Sequence, residues 1–172
     1  MITIVPFSPD LAPIFDRLNR VWIEELFTLE PFDELVLTQP EATIIEPGGE
    51  IWFGAMDDAI IGTCALLAYA PGVFEFTKLG VEKAARGRGV ARALLRHCCS
   101  RAKVKGAHTL QLFTSSKLIA ANALYRSEGF AEVEMSPEQK ERYRRVDVMY
   151  ALPLTKIHCT AYFMSDGWHK TS

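Results

Sequence analysis

Residues 86 to 91 read Arg-Gly-Arg-Gly-Val-Ala. The stretch lies between a strand-like run that ends at Glu82 and a run with helical periodicity. The first amides of a helix have no internal partners and carry partial positive charge. Phosphate oxygens complement them. Close approach needs positions without a Cβ, which Gly87 and Gly89 supply, and Arg86, Arg88 and Arg92 add charge around them. The corner therefore reads as a cradle for a pyrophosphate. It is not a P-loop, because no Lys-Ser or Lys-Thr follows the glycines here. It also fits a dinucleotide fingerprint poorly. Counting from Gly87 puts Arg92 where the third glycine belongs, and Thr114, Ser115 and Ser116 follow the next strand in place of a ribose-binding acid.

The elements that must hold this corner are legible as alternating patterns. Residues 2 to 5 read as a strand. "SPDLAPIFDRLNRVWIEELF" places Leu11, Ile14, Phe15, Leu18, Val21 and Trp22 at helical spacing, with Ser8 or Asp10 as cap. "LEPFDELVL" predicts a second, short helix with Pro31 in its first turn. "EIWFGAM", "AIIGTCALLAY" and "VFEFTKLGVE" read as strands separated by Asp57-Asp58 and Pro71-Gly72, hence antiparallel neighbours. A helix from Gly89 to about Val104, a strand "HTLQLFT" and a helix "SKLIAANALYRSEGF" ending at Gly129 come next. "FAEVEM" and "RRVDVMYAL" close the order as strands around a polar loop, "SPEQKER". The reading is an α/β (α+β) domain over residues 1–154: a single mixed, largely antiparallel sheet with helices on both faces. Residues 155–172 form an extension without clear period, whose Tyr162, Phe163 and Trp168 could pack on the body or on a second copy.

Composition narrows the partners. The 172 residues are 49% hydrophobic and 23% charged, with a net charge of −2. That balance gives no reason to expect nucleic acid or an acidic membrane. The N-terminus "MITIVPFSPD" lacks a basic segment, so no signal peptide is expected, and the longest apolar run is too short to span a bilayer. Cys64, Cys98, Cys99 and Cys159 form no CxxC pair and read as reduced thiols of a cytoplasmic protein. The four histidines are scattered without ligand spacing, so no metal is expected.

Arg86 to Ala91 also matches R/Q-x-x-G-x-G/A, the coenzyme A pyrophosphate motif of the GNAT-type N-acetyltransferases, with Ala91 at the permitted last position. The chain resembles that superfamily over roughly residues 2 to 154: "LGVEKAARGRGVARALL" is similar to its strand–turn–helix core and "NALYRSEGF" to its later helix. The resemblance implies an acyl-CoA N-acyltransferase fold and acetyl-CoA as cosubstrate. It implies transfer of the acetyl group to a primary amine of a small molecule or peptide, by direct attack in a ternary complex. It assigns Arg86, Gly87, Arg88, Gly89, Val90 and Ala91 to the pyrophosphate, and the backbone of Leu79, Gly80 and Val81 to the pantetheine arm and acetyl carbonyl. Asn122 falls near the pantetheine or phosphates, and Tyr125 near the sulfur as general acid, a role suited to a phenol protonated at neutral pH. For the base, Glu75 stands on the strand, where period two groups it with Thr77, Leu79 and Val81. Glu24 and Glu25 offer instead to bind a cationic substrate. The family places the acceptor beside the first helices, where Glu24, Glu25, Glu30, Asp33 and Glu34 with Trp22, Phe27 and Phe32 suggest an acidic, aromatic wall. A non-catalytic acetyl-CoA sensor is the alternative, and the C-terminal strands and tail offer surface for a homodimer.

Overall fold

Two turns fold the three central apolar runs onto one another. In the computed structural model, which describes residues 1–142 and 144–154, these runs are β2 (Glu50–Met56), β3 (Ala59–Ala70) and β4 (Val73–Val81). Asp57 and Asp58 both adopt positive φ, +50° and +64°, as a two-residue hairpin with matched twist requires. β1 (Thr3–Pro6) adds antiparallel to β2. The crossover helix α3 (Val90–Val104) returns the chain so that β5 (Thr109–Thr114) runs parallel to β4. β7 (Val148–Pro153) inserts between β5 and the short edge strand β6 (Ala131–Val133), giving a seven-stranded sheet in the order β1-β2-β3-β4-β5-β7-β6.

Helices cover both faces. On one, α3 buries Val90, Leu94, Leu95, Cys98 and Ala102 against Cys64, Leu66 and Phe76, joined by α4 (Ile119–Ser127) through Tyr125. On the other, α1 (Ala12–Leu26) and α2 (Pro31–Thr38) bury Phe15, Ile23, Val36 and Leu37 against Ile51, Phe53 and Ala65. Each such aliphatic or aromatic side chain contributes about 1.5–3 kcal/mol of transfer free energy. No described helix is long and apolar enough to cross a membrane.

The local expectations need four corrections. Neither Ser8 nor Asp10 caps α1 with its side chain; a single 3-10 turn over Pro9–Leu11 leads into the helix instead. Residues 41–45 make a π-helical turn that no pattern announced. Lys117 and Leu118 precede α4 rather than begin it. "SPEQKER" is not a loop: Pro137–Arg142 form a short helix, α5. Ser136 Oγ accepts from the Gln139 amide at 3.3 Å, and Gln139 Oε1 accepts from the Ser136 amide at 2.9 Å. That reciprocal pair is a capping box. The expected extension beyond residue 154, with Tyr162, Phe163 and Trp168, lies outside the described residues.

Gly80 explains how α1 seats on the sheet. A Cβ at this position would lie 2.5 Å from the Leu18 carbonyl oxygen and 2.9 Å from its carbon. Both atoms are helix backbone and cannot swing aside. Gly80→Ala should therefore lift α1 off β4 and destabilise the fold by about 2 kcal/mol, roughly 4–8 °C in melting temperature. Thermal denaturation reads this directly; an unchanged melting point would mean that α1 slides without cost.

Candidate active site

β4 and β5 pair only at Val73↔Thr109, Phe74↔Leu110 and Glu75↔Gln111. Beyond Glu75 they separate, leaving that edge of β4 without a β5 partner. A cleft of about 650 Å³ opens in the gap. Phe76, Leu79 and Val81 of β4 floor it, the α3 turn from Arg86 to Arg92 closes one end, Leu124 and Tyr125 of α4 wall it, and Trp22 and Phe27 reach over from α1.

The α3 turn has the predicted construction. Gly87 and Gly89 both stand in the left-handed region, at φ +77° and +84°. A side chain would have space at either, so the backbone conformation is what favours glycine. Gly89 is the N-cap, and no side chain caps the helix. The first amides of a fifteen-residue helix are thus left for an outside acceptor. Gly87, Gly89, Val90 and Ala91 line the cleft. The arginines divide. Arg86 donates to the Val81 carbonyl at 3.3 Å and lines the cleft, whereas Arg88 is exposed outside its lining. Arg92 lines it but is tied to Glu128 at 2.9 Å.

Tyr125 projects into the cleft from α4 and is 7% exposed. Phe76, Phe130 and Tyr150 surround its ring at centroid distances of 6.3, 6.2 and 6.0 Å. Its hydroxyl makes no hydrogen bond to another described residue, and burial raises the phenol well above the ordinary tyrosine range. Asn122 is buried but absent from the cleft lining. Its amide donates to the carbonyls of Ser115 and Leu118, each at 2.8 Å, and so fastens the start of α4.

A bulge in β4 overturns the expected face. Thr77 pairs with Ala65 and Gly80 with Thr63, so Lys78 and Leu79 together oppose one residue. Lys78 sits at φ +53°. The extra residue shifts the alternation. Glu75 and Thr77 face the α2 side, near Phe32 and Val36, while Leu79 and Val81 pack with the α3 core. Glu75 still lines the cleft and is 1% exposed. Gly80 backs onto α1 and is not among the lining residues.

The bulge also buries a charge cluster that pattern reading missed. The Lys78 ammonium lies 2.7 Å from Asp33 Oδ1, with side-chain exposures of 4% and 0%. Arg145 donates to both oxygens of the same carboxylate, Nη2 to Oδ1 at 2.7 Å. Desolvation alone would raise the Asp33 carboxyl. Hydrogen bonds from Arg145 and the charge of Lys78 outweigh it and hold the group at about 2. Burial lowers Lys78 against the opposing pull of Asp33. The carboxylate, clasped by two cations, is the better-fixed charge. The one sequence signal was a lysine in the middle of a central strand, because a lysine is almost never fully buried without a partner.

The acidic wall expected at the acceptor end is not presented to the cleft. Glu34 and Glu24 lie 2.7 and 3.9 Å from Arg20, Glu25 lies 3.4 Å from Lys83, and Glu30 lies 3.6 Å from Arg145. None of these four, nor Asp33, lines it. Of the three expected aromatics, Trp22 and Phe27 line the cleft in edge contact at 6.5 Å, whereas Phe32 lies outside the lining on the α2 side.

A split between parallel strands, next to a glycine turn that opens a helix, defines the acyl-CoA N-acyltransferase class of fold. A family model for the acetyltransferase (GNAT) domain matches residues 47–132, half of the chain. The chain belongs to the GNAT acetyltransferase family. Among solved structures, a GNAT acetyltransferase from Staphylococcus aureus Mu50 superposes with a TM-score of 0.81 at 19% identity, covering 90% of this chain and all of that one. YncA from Salmonella typhimurium, solved with its cofactor acetyl-CoA, gives 0.71 at 18%, covering 90% and 95%. In sequence, human N-acetylaspartate synthetase is 31% identical over 91 residues, 52% of this chain and 30% of that protein. The N-acetyltransferase YvbK of Bacillus subtilis is 26% identical over 114 residues, 64% and 74% respectively. The chain thus spans under a third of the human relative's length.

Proposed function

We propose that this chain is an acetyl-CoA-dependent N-acetyltransferase in which a primary amine attacks the bound thioester directly. The observation that carries the reading is the β4–β5 split, which joins the uncapped amides of α3 to the Tyr125 hydroxyl within one cleft. The residues fit the cofactor: the glycine turn offers backbone donors to a diphosphate, and the open edge of β4 at Leu79 and Val81 offers backbone to an extended arm. Acetyl-CoA, when bound, supplies the activated acyl carbon.

The chain supplies position and protons. Amides of β4 beyond Glu75 polarise the acyl oxygen. Glu75, which lines the cleft from the α2 side of β4, takes a proton from the ammonium and leaves the lone pair needed for attack. Tyr125 donates its hydroxyl hydrogen toward the departing sulfur. From ammonium to amide the nitrogen loses two protons, one through Glu75 before attack and one as the tetrahedral intermediate collapses; one proton ends on sulfur and the other passes to solvent, which balances the exchange. Arg86, Gly87, Gly89, Val90 and Ala91 hold the phosphates. Asn122 positions α4, and with it Tyr125.

Binding is tested first by thermal shift. A ligand at about a hundred times its dissociation constant stabilises the folded state by about 2.7 kcal/mol, roughly 5–10 °C for a chain of this size. Acetyl-CoA should produce that shift, and release of free thiol with a panel of primary amines should follow. No shift at millimolar acetyl-CoA would overturn the assignment.

A further inference from the structure

The acid at the end of α4 binds two arginines of α3, and only one of them lines the cleft. Arg92 is the third residue of α3, one past Ala91, and stands half-exposed in the cleft wall. Its Nε lies 2.9 Å from Glu128 Oε1, and its Nη2 donates to Ser127 Oγ at 3.2 Å. Arg96, one turn further along the same face, lies outside the lining. It grips the same carboxylate through two bonds: Nε donates to Oε2 at 2.7 Å and Nη2 to Oε1 at 3.1 Å. Such a bidentate clasp is the stronger and more directional arrangement. Hydrogen bonding from Arg96 is also the largest cause holding the Glu128 carboxyl below the usual carboxylate range, with Arg92 contributing less. The Glu128 amide is bonded to the Leu124 and Tyr125 carbonyls at 3.0 and 3.2 Å, which fixes the acid at the foot of α4, and its side chain is only 12% exposed. Glu128 can therefore lose Arg92 and remain paired. The Arg92 charge is shared with an acid that does not need it.

We propose that Glu128 competes with the cofactor's phosphates for Arg92 and so sets how tightly coenzyme A is held. This rests on the acetyltransferase reading and adds two residues to its cofactor end. When a diphosphate occupies the α3 turn, Arg92 exchanges Glu128 for phosphate oxygen, and Arg96 keeps the carboxylate paired. An acid this far buried resists being left without a cation, and Arg96 removes that resistance. The competition acts on acetyl-CoA and on spent CoA alike, since both carry the diphosphate, and it favours release of the product. No covalent bond is made or broken in the exchange.

Calorimetry of acetyl-CoA and of CoA, on the full chain and its variants, tests the exchange. Glu128→Gln keeps the shape and removes the charge; it should tighten both ligands about two- to fivefold, the size of an exposed ion pair. A packing defect would weaken binding instead. Arg92→Ala should weaken both ligands, and adding Glu128→Gln to it should change nothing further. Arg96→Ala should also weaken them, although Arg96 lies outside the cleft, because Glu128 then keeps Arg92. That effect should vanish in the Glu128→Gln background. Arg96 is exposed, so its variant tests the exchange even where Glu128→Gln destabilises the fold. Unchanged or weaker binding by Glu128→Gln overturns the proposal. So does tightening that persists without Arg92, which would be the field of the acid alone, and so does Arg96→Ala with wild-type affinity. Absence of heat with the wild-type chain overturns the cofactor assignment itself, and the proposal with it.

Discussion

Tyr125→Phe should lower kcat about a hundredfold while acetyl-CoA affinity stays unchanged. The size follows from the environment of the phenol. A well-matched general acid contributes roughly 10²–10⁴. Tyr125 is poorly matched, because burial lifts its pKa well above the ordinary tyrosine value. A thiol such as cysteine ionises near 8.5, about 1.5 units below an ordinary tyrosine. Full transfer of the phenolic proton to a thiolate is therefore uphill, and what remains is a hydrogen bond to developing negative charge. Such a bond is worth about 1.5–3 kcal/mol, or roughly 10–150-fold. The proton that finally rests on sulfur then comes from the amine by way of Glu75 or solvent. The phenylalanine keeps the ring contacts with Phe76, Phe130 and Tyr150, so the fold should survive. Steady-state thiol release against pH, with calorimetry of acetyl-CoA, separates the roles. The wild-type rate should show no alkaline fall below about pH 10 attributable to this group, because a raised pKa keeps it protonated there. A kcat within twofold of wild type would reduce Tyr125 to a packing residue.

The parts of the site that were legible in sequence are those made by backbone conformation. Gly87 and Gly89 marked a short turn before a helix, where they were expected for close approach, and both stand in the left-handed region. The β4–α3–β5 crossover was legible for the same reason, since the turn signals and the periods agree with one another. What was not legible depends on side chains from distant segments meeting. A bulge at Lys78 inverts the alternation of β4, and period-two reasoning has no means of placing an extra residue; the ammonium it carries pairs with a carboxylate 45 positions away. The acids of "RVWIEELFTLEPFDELVL" looked like a wall for a cationic substrate because their partners Arg20, Lys78, Lys83 and Arg145 come mostly from elsewhere in the chain. By contrast, the α5 helix was legible and overlooked. Ser136-Pro137-Glu138-Gln139 is a capping-box pattern with proline at the first helical position, and a polar composition masked it.

Asp33→Asn should cost about 3–5 kcal/mol, roughly 6–20 °C in melting temperature, because it leaves two cations facing a neutral amide in the interior. The carboxylate joins three separate segments: α2, the β4 bulge through Lys78, and the approach to β7 through Arg145. Lys78→Met should cost less, since Arg145 still satisfies Asp33. The pH dependence distinguishes loss of this charge from a general packing defect. Asp33 titrates at about 2 when folded, below its ordinary 3.8, so in that interval the unfolded chain binds the extra proton. Stability therefore rises with pH through the window. The contribution, about 2 kcal/mol, is fully present above pH 4 and lost as pH falls through 2. Denaturant unfolding between pH 5 and 2 should show this limb in the wild type, and the asparagine variant should lack that share of it. A variant with wild-type stability, or with the whole acid limb intact, would show that the buried carboxylate does not hold the acceptor end together.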